Sequence, residues 1–411
     1  MDQPIIAIDA RRKINSGIGR VSQWLASNAA ELIGPCSSVY LVSSADTRGY
    51  EFGAGEVIVT DIKPFSFDET YKLPELIAST GASLYLNPQT TWCPFNCVRS
   101  LNIIHDLWAI TNPDWLPTAG DLQARFSIDN VGYFESLSKW FTPRKRRHLL
   151  TTHGAKLFAK LCDVNNPISL GIWAQYAATV EYSAQVITVS SHIHDLLAEV
   201  FPRGEEAIVI PNVPKDFFGG IRPQPKPEHF LVLSKLERRK NLLFLLDAYV
   251  EYCEIAGPYA CPLVIAGDPG YQSVAAEILA RIEDIRRSGH QVSVLASVSD
   301  DELCSLLMRA VALVFPTHFE GFGLPPLEAM LAGVPVIGTK TGMLNSPLAA
   351  HVVLIDPADR RKLVDALVNA VGPHDHDALV AARRDVLQLC AAVDAKALWK
   401  QAVTRALVGQ G

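Results

Sequence analysis

The chain has 411 residues; at roughly 150 residues per domain that predicts two domains and excludes a single small one. Hydrophobic residues make up 49% and charged residues 19%, a balance that supplies a sizeable core and excludes a disordered chain. Lys and Arg number 37 against 43 Asp and Glu, a formal net charge of -6, so a surface built throughout to hold nucleic acid is excluded and only a local basic patch remains open.

The N-terminus, MDQPIIAIDARRK, has an acid at Asp2 and an apolar run that stops at Asp9. It lacks the basic start and long apolar core of a signal peptide, and no stretch approaches the roughly 18 apolar residues of a membrane span. Eight scattered cysteines (36, 93, 97, 162, 253, 261, 304, 390) fit free thiols in a reducing cytoplasm better than a disulfide framework. Cys93 and Cys97 form a C-x3-C with no second pair at a finger-like distance, so no zinc site is expected.

Short apolar runs predict strands at 5–10, 39–43, 57–62, 84–86, 101–105, 186–189 and 208–210, then at 230–234, 263–266, 292–295, 313–316, 334–338 and 352–355. Most are continuous rather than alternating, the pattern of strands covered on both faces, which means parallel sheets in α/β units. Proline-rich sequence from Pro211 to Pro227 reads as an interdomain linker. The expected organisation is α/β: a first domain over 1–216, a second over 224–392, and a helix over 393–411 packing back on the first. Ligands of such sheets bind beyond the strands' carboxyl ends, which makes a cleft between two facing domains the expected site.

After the first strand comes Ser16-Gly17-Ile-Gly19-Arg20. The third glycine of a dinucleotide fingerprint is replaced by Ser22, and no acid follows about 20 residues on at a second strand end, so an NAD site is not expected. Gly17 and Gly19 let backbone amides approach a phosphate or an acceptor, or simply form a tight turn. From 107 to 182 no strand is predicted, and five of seven tryptophans lie in or beside this helical insertion. It contains Trp140-Phe-Thr-Pro-Arg144-Lys145-Arg146-Arg147, and residues 125–160 carry eight basic side chains against two acids. That patch suits an anionic membrane surface, an acceptor or a solvated face alike.

In the second domain, Lys235 and Lys240 flank a turn after the first strand, where a cation can neutralise a leaving diphosphate without a metal. Asp300-Asp301 opens a predicted helix and fits its N-cap; no Asp-x-Asp stands at a strand end, so no metal and no cofactor are expected. The densest signal is Phe315 to Val336. A strand ends, a glycine loop follows, Pro325 and Pro326 fall in a first helical turn, and Gly333 ends the helix. The amides of Phe322, Gly323 and Leu324 then make an anion site at the helix N-terminus. Glu320 and Glu328 either hold hydroxyls of one elongated ligand or serve as a solvated loop acid and a helix-dipole partner.

Glu320-Gly-Phe-Gly-Leu-Pro-Pro-Leu-Glu328-Ala-Met resembles the E-x7-E motif of the retaining, GT4-like glycosyltransferases of family 4. Their fold is GT-B, two Rossmann-like domains facing across a cleft. Further matches follow in order: Asp9-Ala-Arg with Gly17-Ile-Gly19, His105-Asp106, Ile187 to Ser191, Ile210-Pro-Asn212, and Ser234-Lys235 to Asn241. The resemblance implies a first domain that binds acceptor and a second that binds a nucleotide sugar. Glu320 would hold the donor sugar, Glu328 the ribose, Lys240 and the amides of 322–324 the diphosphate, Val298 the base through its backbone, and His105 the donor sugar or its phosphate. The family's usual Arg is Lys235 here, which lacks the bidentate fork and leaves Arg238 or Arg239 to compensate; Val298 reads equally as an ordinary loop residue, and His318 receives no role. The opening and GFGLPPLEA most resemble bacterial mannosyltransferases, implying a GDP-mannose donor, with rhamnosyl and glucosyl donors open, and a glycan or lipid-linked glycan acceptor. The expected place is the cytoplasm or the cytoplasmic membrane face. A GT-B epimerase and a non-catalytic sugar-nucleotide-binding protein are the alternatives.

Overall fold

Apolar runs without alternation leave no strand face for water, so each sheet must be covered by helices on both sides. The computed structural model has this architecture; it describes residues 3–11, 17–33, 36–43, 52–89, 98–126, 130–212, 214, 218, 220 and 227–408. Ser16, the Cys93 and Cys97 pair and most of the linker lie outside the described residues. The chain divides into two units, residues 1–212 with 394–411, and residues 213–393.

In the first unit, strands β1 (Ile5–Ala10), β2 (Ser37–Ser43), β3 (Glu56–Thr60), β4 (Leu84–Asn87), β5 (Arg99–Ile104), β6 (Gln185–Thr188) and β7 (Ile208–Val209) form one sheet in the order β3-β2-β1-β4-β5-β6-β7. Every pairing is parallel; Ile6, for example, faces Ser38 on one side and Leu84 on the other. Helices α1 (Gly17–Ile33) and α2 (Phe67–Ser79) follow β1 and β3. The segment between β5 and β6 holds α3 (Trp108–Thr111), α4 (Ala119–Phe126), α5 (Asn130–Trp140), α6 (Pro143–Leu149), α7 (Thr152–Leu161) and α8 (Pro167–Tyr182), and no strand among the described residues. The oxygen side chains of Thr142, Thr151 and Asn166 cap α6, α7 and α8. Helix α8 is apolar nearly all round and buried along most of its length, which marks it as an interior helix. Helix α9 (Ser191–Val200) follows β6, and a last helix, Ala395–Val408, belongs to this unit.

The second unit carries β8 (His229–Leu233), β9 (Leu263–Ala266), β10 (Val292–Leu295), β11 (Ala310–Phe315), β12 (Val336–Gly338) and β13 (Val352–Leu354), ordered β10-β9-β8-β11-β12-β13, again all parallel. Its helices are α10 (Leu242–Ala256), α11 (Gln272–Arg287), α12 (Asp300–Met308), α13 (Leu324–Leu331), α14 (Arg360–Ala370) and α15 (His376–Ala392). Phe230, Ile265, Val314, Leu246, Ile282 and Leu363 bring both sheet and helices into one core. At about 1.5 to 3 kcal/mol for each such side chain removed from water, that core dominates the unit's stability.

The strand order reverses between β1 and β4 in the first unit and between β8 and β11 in the second. At such reversals the following loops part in opposite directions and leave a crevice beyond the strands' carboxyl ends. Among the described residues, no helix is long and apolar enough to cross a membrane.

Candidate active site

At the reversal in the second unit, β8 runs into a loop that ends in a 3-10 turn, Arg238–Lys240. Asn241 then takes a left-handed conformation, φ 56°, with its side-chain amide donating to the Pro357 carbonyl at 2.9 Å. Asn tolerates this region better than most residues; here it lets the chain turn sharply into α10, leaving Lys240 on the inside of the bend. The loop after β11 comes to meet it. The Arg239 carbonyl accepts from the His318 amide at 2.8 Å, and the Thr317 hydroxyl lies 2.9 Å from that carbonyl and 3.1 Å from Glu320 Oε1.

Glu320 is the centre of the site. Its Oε1 accepts from Lys240 Nζ and, at 3.1 Å, from Arg239 Nη1. Among the described residues, no protein donor reaches its Oε2. Lys240 is 8% exposed and Glu320 9%, so the pair is shielded enough for charge to matter. Burial pushes the Glu320 carboxyl upward, but Lys240, then Arg239, and the hydrogen bonds outweigh it and hold the group below its usual range. Lys240 is lowered, by burial first and by Arg239 second, with Glu320 opposing. Glu237 bonds Arg239 Nε at 2.9 Å; burial raises its carboxyl, and Arg239, Lys235 and Lys240 bring it below the usual value.

Helix α13 starts at Leu324 behind Gly323, whose φ of 88° needs no Cβ, and has proline in its first turn. The amides of Phe322, Gly323 and Leu324 donate to no acceptor among the described residues, an open helix end that favours an anion. Gly342 holds this loop: its φ is 55°, and a Cβ there would lie 2.4 Å from the Phe322 carbonyl oxygen and 3.1 Å from Glu320 Cβ. The Thr341 hydroxyl accepts from the Glu320 amide at 2.9 Å. Glu328 is the fifth residue of α13 and 2% exposed. It lies past the first turn, where complementing a helix dipole is weak.

Lys235 follows β8 and is half-buried, whereas Arg238 turns outward to Glu277 at 3.6 Å. Of the two arginines, Arg239 is the one brought to Glu320. Val298 is half-buried in the loop between β10 and α12. The cap of α12 is Ser299 in a capping box with Glu302, not the Asp300-Asp301 pair, which occupies the first turn. His318 is exposed, and what desolvation its ring has lowers it below the usual value.

The first unit's candidates follow β1 and β5. Gly17 and Gly19 lie inside the first turn of α1 rather than in a loop before it. Asp9 and Arg11, at the end of β1, form a buried ion cluster. Arg11 Nη2 lies 2.6 Å from Asp9 and 3.0 Å from Glu69, and the Tyr85 hydroxyl donates to Asp9 at 2.6 Å. His105 follows β5, half-buried, with Nε2 2.7 Å from the Pro88 carbonyl oxygen.

In the basic patch, Lys145 Nζ sits 3.8 Å from the centre of the Trp140 ring, and Arg146 lies over Phe158 at 4.9 Å while bonding the Phe141 carbonyl at 2.9 Å. Trp140 itself stacks on Phe141 and meets Tyr182 edge-on. Two of the four cations are therefore held on aromatic faces; Arg144 and Arg147 are exposed.

What the sequence did not single out is Thr317, Thr341, Gly342 and Glu237, which shape the Glu320 site. Glu237 alone had a visible signal, an acid inside a cationic run. Among the described residues, no three His, Cys, Asp or Glu side chains assemble as metal ligands.

Residues 213–371 match the family described as glycosyl transferases group 1. The match falls within the second unit, which is similar over these residues to a group 1 glycosyltransferase domain. The Lys240 and Glu320 contact lies within this domain, and the GT4-like resemblance of the motifs stands on it. The chain is 25% identical over 193 residues to O-antigen chain mannosyltransferase RfbU of Salmonella typhimurium, covering 46% of this chain and 52% of RfbU. It is 26% identical over 306 residues to sucrose synthase 1 of Hordeum vulgare, covering 70% of this chain and 35% of that enzyme. The chain thus spans about half the length of the first relative and a third of the second. The crystal structure of Anabaena HepE in complex with UDP and glucose superposes with a TM-score of 0.62 at 14% identity, covering 99% of this chain and 100% of that one. At that identity the likeness concerns the fold, and the fold is GT-B.

Proposed function

We propose that the protein is a retaining glycosyltransferase that moves mannose from GDP-mannose to a saccharide or lipid-linked glycan acceptor in bacterial surface polysaccharide synthesis. One observation carries the reading: buried Lys240 and half-buried Arg239 meet Glu320 beside the open end of α13, within residues that match a group 1 glycosyltransferase domain. Cations and free amides favour a diphosphate, while a carboxylate with an open oxygen favours a sugar hydroxyl. The name of RfbU supports mannose, and sucrose synthase, matched over more of the chain, keeps glucosyl donors in the test.

In this reading Lys240, Lys235 and the amides of 322–324 hold the diphosphate, Glu328 the ribose, Val298 the base, and Glu320 the donor sugar. His105 and the turn of Gly17 and Gly19 meet the donor or the acceptor. The bond from the anomeric carbon to the diphosphate oxygen breaks, and a bond to the acceptor oxygen forms on the same face. The acceptor's proton passes to the departing phosphate. Fixed cations and amides stabilise the charge that develops on the diphosphate, and no metal or cofactor takes part. The protein works in the cytoplasm, peripherally attached to the membrane through the exposed part of its basic patch.

Incubation with radiolabelled GDP-mannose, UDP-glucose and dTDP-rhamnose tests this. Slow hydrolysis of GDP-mannose, unaffected by EDTA, is the expected result. No hydrolysis of any donor, or a product epimerised without acceptor, overturns the transferase reading; loss on chelation restored by a divalent ion overturns its metal independence.

A further inference from the structure

Arg239 joins the two loops of the site. Its Nε bonds Glu237 at 2.9 Å, and its Nη1 bonds Glu320 Oε1 at 3.1 Å and lies 3.3 Å from the Phe319 carbonyl. Its own carbonyl takes the His318 amide at 2.8 Å and lies 2.9 Å from the Thr317 hydroxyl. The side chain is 15% exposed and that of Glu237 14%. A planar fork holds two carboxylates in a fixed relative geometry, which the rotating donors of a lysine ammonium do not impose. Lys240, Arg239 and Thr317 all converge on Oε1 of Glu320, and among the described residues no side chain or amide bonds its Oε2.

We propose that Arg239 is a positioning residue for the sugar-binding carboxylate: braced by Glu237, it fixes Glu320 so that Oε1 is engaged by protein and Oε2 faces a donor sugar hydroxyl. The inference rests on the transferase reading and assigns Arg239 to the sugar rather than to the diphosphate. Removing it would let the Glu320 carboxylate rotate and would withdraw one of the cations that keep it ionised, while Lys240 and the α13 amides remain for the diphosphate.

The test compares R239Q, R239K and E237Q with wild type. GDP, UDP and dTDP binding is measured by calorimetry, and turnover across pH uses whichever labelled donor wild type consumes. R239Q is expected to keep nucleoside diphosphate affinity within about threefold while kcat falls at least about tenfold, the signature of a contact made to the transferring sugar. The acid limb of its kcat profile should move to higher pH, because Glu320 loses a neighbouring positive charge. R239K should not restore kcat, since it keeps the charge and lacks the fork, and E237Q should lower kcat in the same direction by less. A fall in GDP, UDP or dTDP affinity that matches the fall in kcat overturns the proposal and makes Arg239 a diphosphate ligand. An unchanged kcat and acid limb overturns it as well. If R239Q does not fold, R239K and E237Q carry the same comparison. Failure of wild type to bind any of GDP, UDP and dTDP strikes the transferase reading itself.

Discussion

At the scale of single residues, the site turns on one carboxylate and the cations around it. Lys240→Ala and Glu328→Ala are each expected to weaken nucleoside diphosphate binding by roughly 1.5 to 3 kcal/mol, the value of a charge-assisted hydrogen bond. Calorimetry with GDP reads this directly, and unchanged affinity in both variants removes the two residues from the donor site. Glu320 adds a pH dependence. Its carboxyl lies below the usual value in the fold, so above the unfolded value it contributes its full stability. As pH falls through the usual carboxyl range, the unfolded chain takes up a proton that the folded chain refuses, and that contribution is lost. Glu320→Gln should therefore lower the urea midpoint at pH 7, and the gap from wild type should narrow as pH approaches 3. A gap independent of pH would mean that the ion pair contributes nothing. The two ends of this pair are 80 residues apart. The sequence offered Glu320, Lys240, Arg238 and Arg239 as candidates, but which neighbouring arginine turns inward depends on the 3-10 turn and on the His318 amide, neither of which a residue pattern encodes.

At the scale of elements, the inner strands were legible because burial on both faces needs unbroken apolar runs; Ile5–Ala10 and Leu263–Ala266 have the limits read from the sequence, and so does the partly exposed edge strand Val292–Leu295. Helix starts were less so. Gly17 is a poor helix former by itself, yet α1 begins there, and Ser299 outcompetes Asp300 as a cap because Glu302 completes its box. The basic patch shows the same limit, since counting charges does not reveal which ones rest on aromatic rings. Arg144 and Arg147 are exposed, while Lys145 and Arg146 lie against Trp140, Phe141 and Phe158. If the patch docks on anionic lipid, R144Q/R147Q should remove about 2 kcal/mol of binding, at about 1 kcal/mol for each basic residue near the surface. K145Q should change it little, and salt should weaken all of it. Co-sedimentation with phosphatidylserine vesicles at low salt measures this. Equal binding of wild type and R144Q/R147Q returns the patch to a solvated face.

At the scale of the whole molecule, the chain leaves its first unit near residue 212, builds the second, and returns at residue 394. The returning helix, Ala395–Val408, belongs to the first unit's core. Trp399 is 4% exposed with its ring 6.3 Å from that of Trp24 on α1, Ala402 and Ala406 are fully buried, and Arg99 at the start of β5 donates to the Leu407 carbonyl at 2.6 Å. Lys396 pairs with Glu31 at the surface, a contact of small energetic weight when exposed. The stability of the first unit therefore depends on sequence that is synthesised after the whole of the second. Trp399→Ala should cost about 3 to 5 kcal/mol, the range for emptying a buried large aromatic site, and the loss should fall on the first unit. Hydrogen exchange followed by mass spectrometry resolves the two: amides of β1, β4 and β5 should exchange faster in the variant, while those of β8, β9 and β11 keep wild-type protection. Lys396→Ala, removing only the exposed pair, should leave both sets unchanged. If Trp399→Ala loosens the strands of the second unit to the same extent, the returning helix is not an element of the first unit alone, and the two units unfold as one cooperative body.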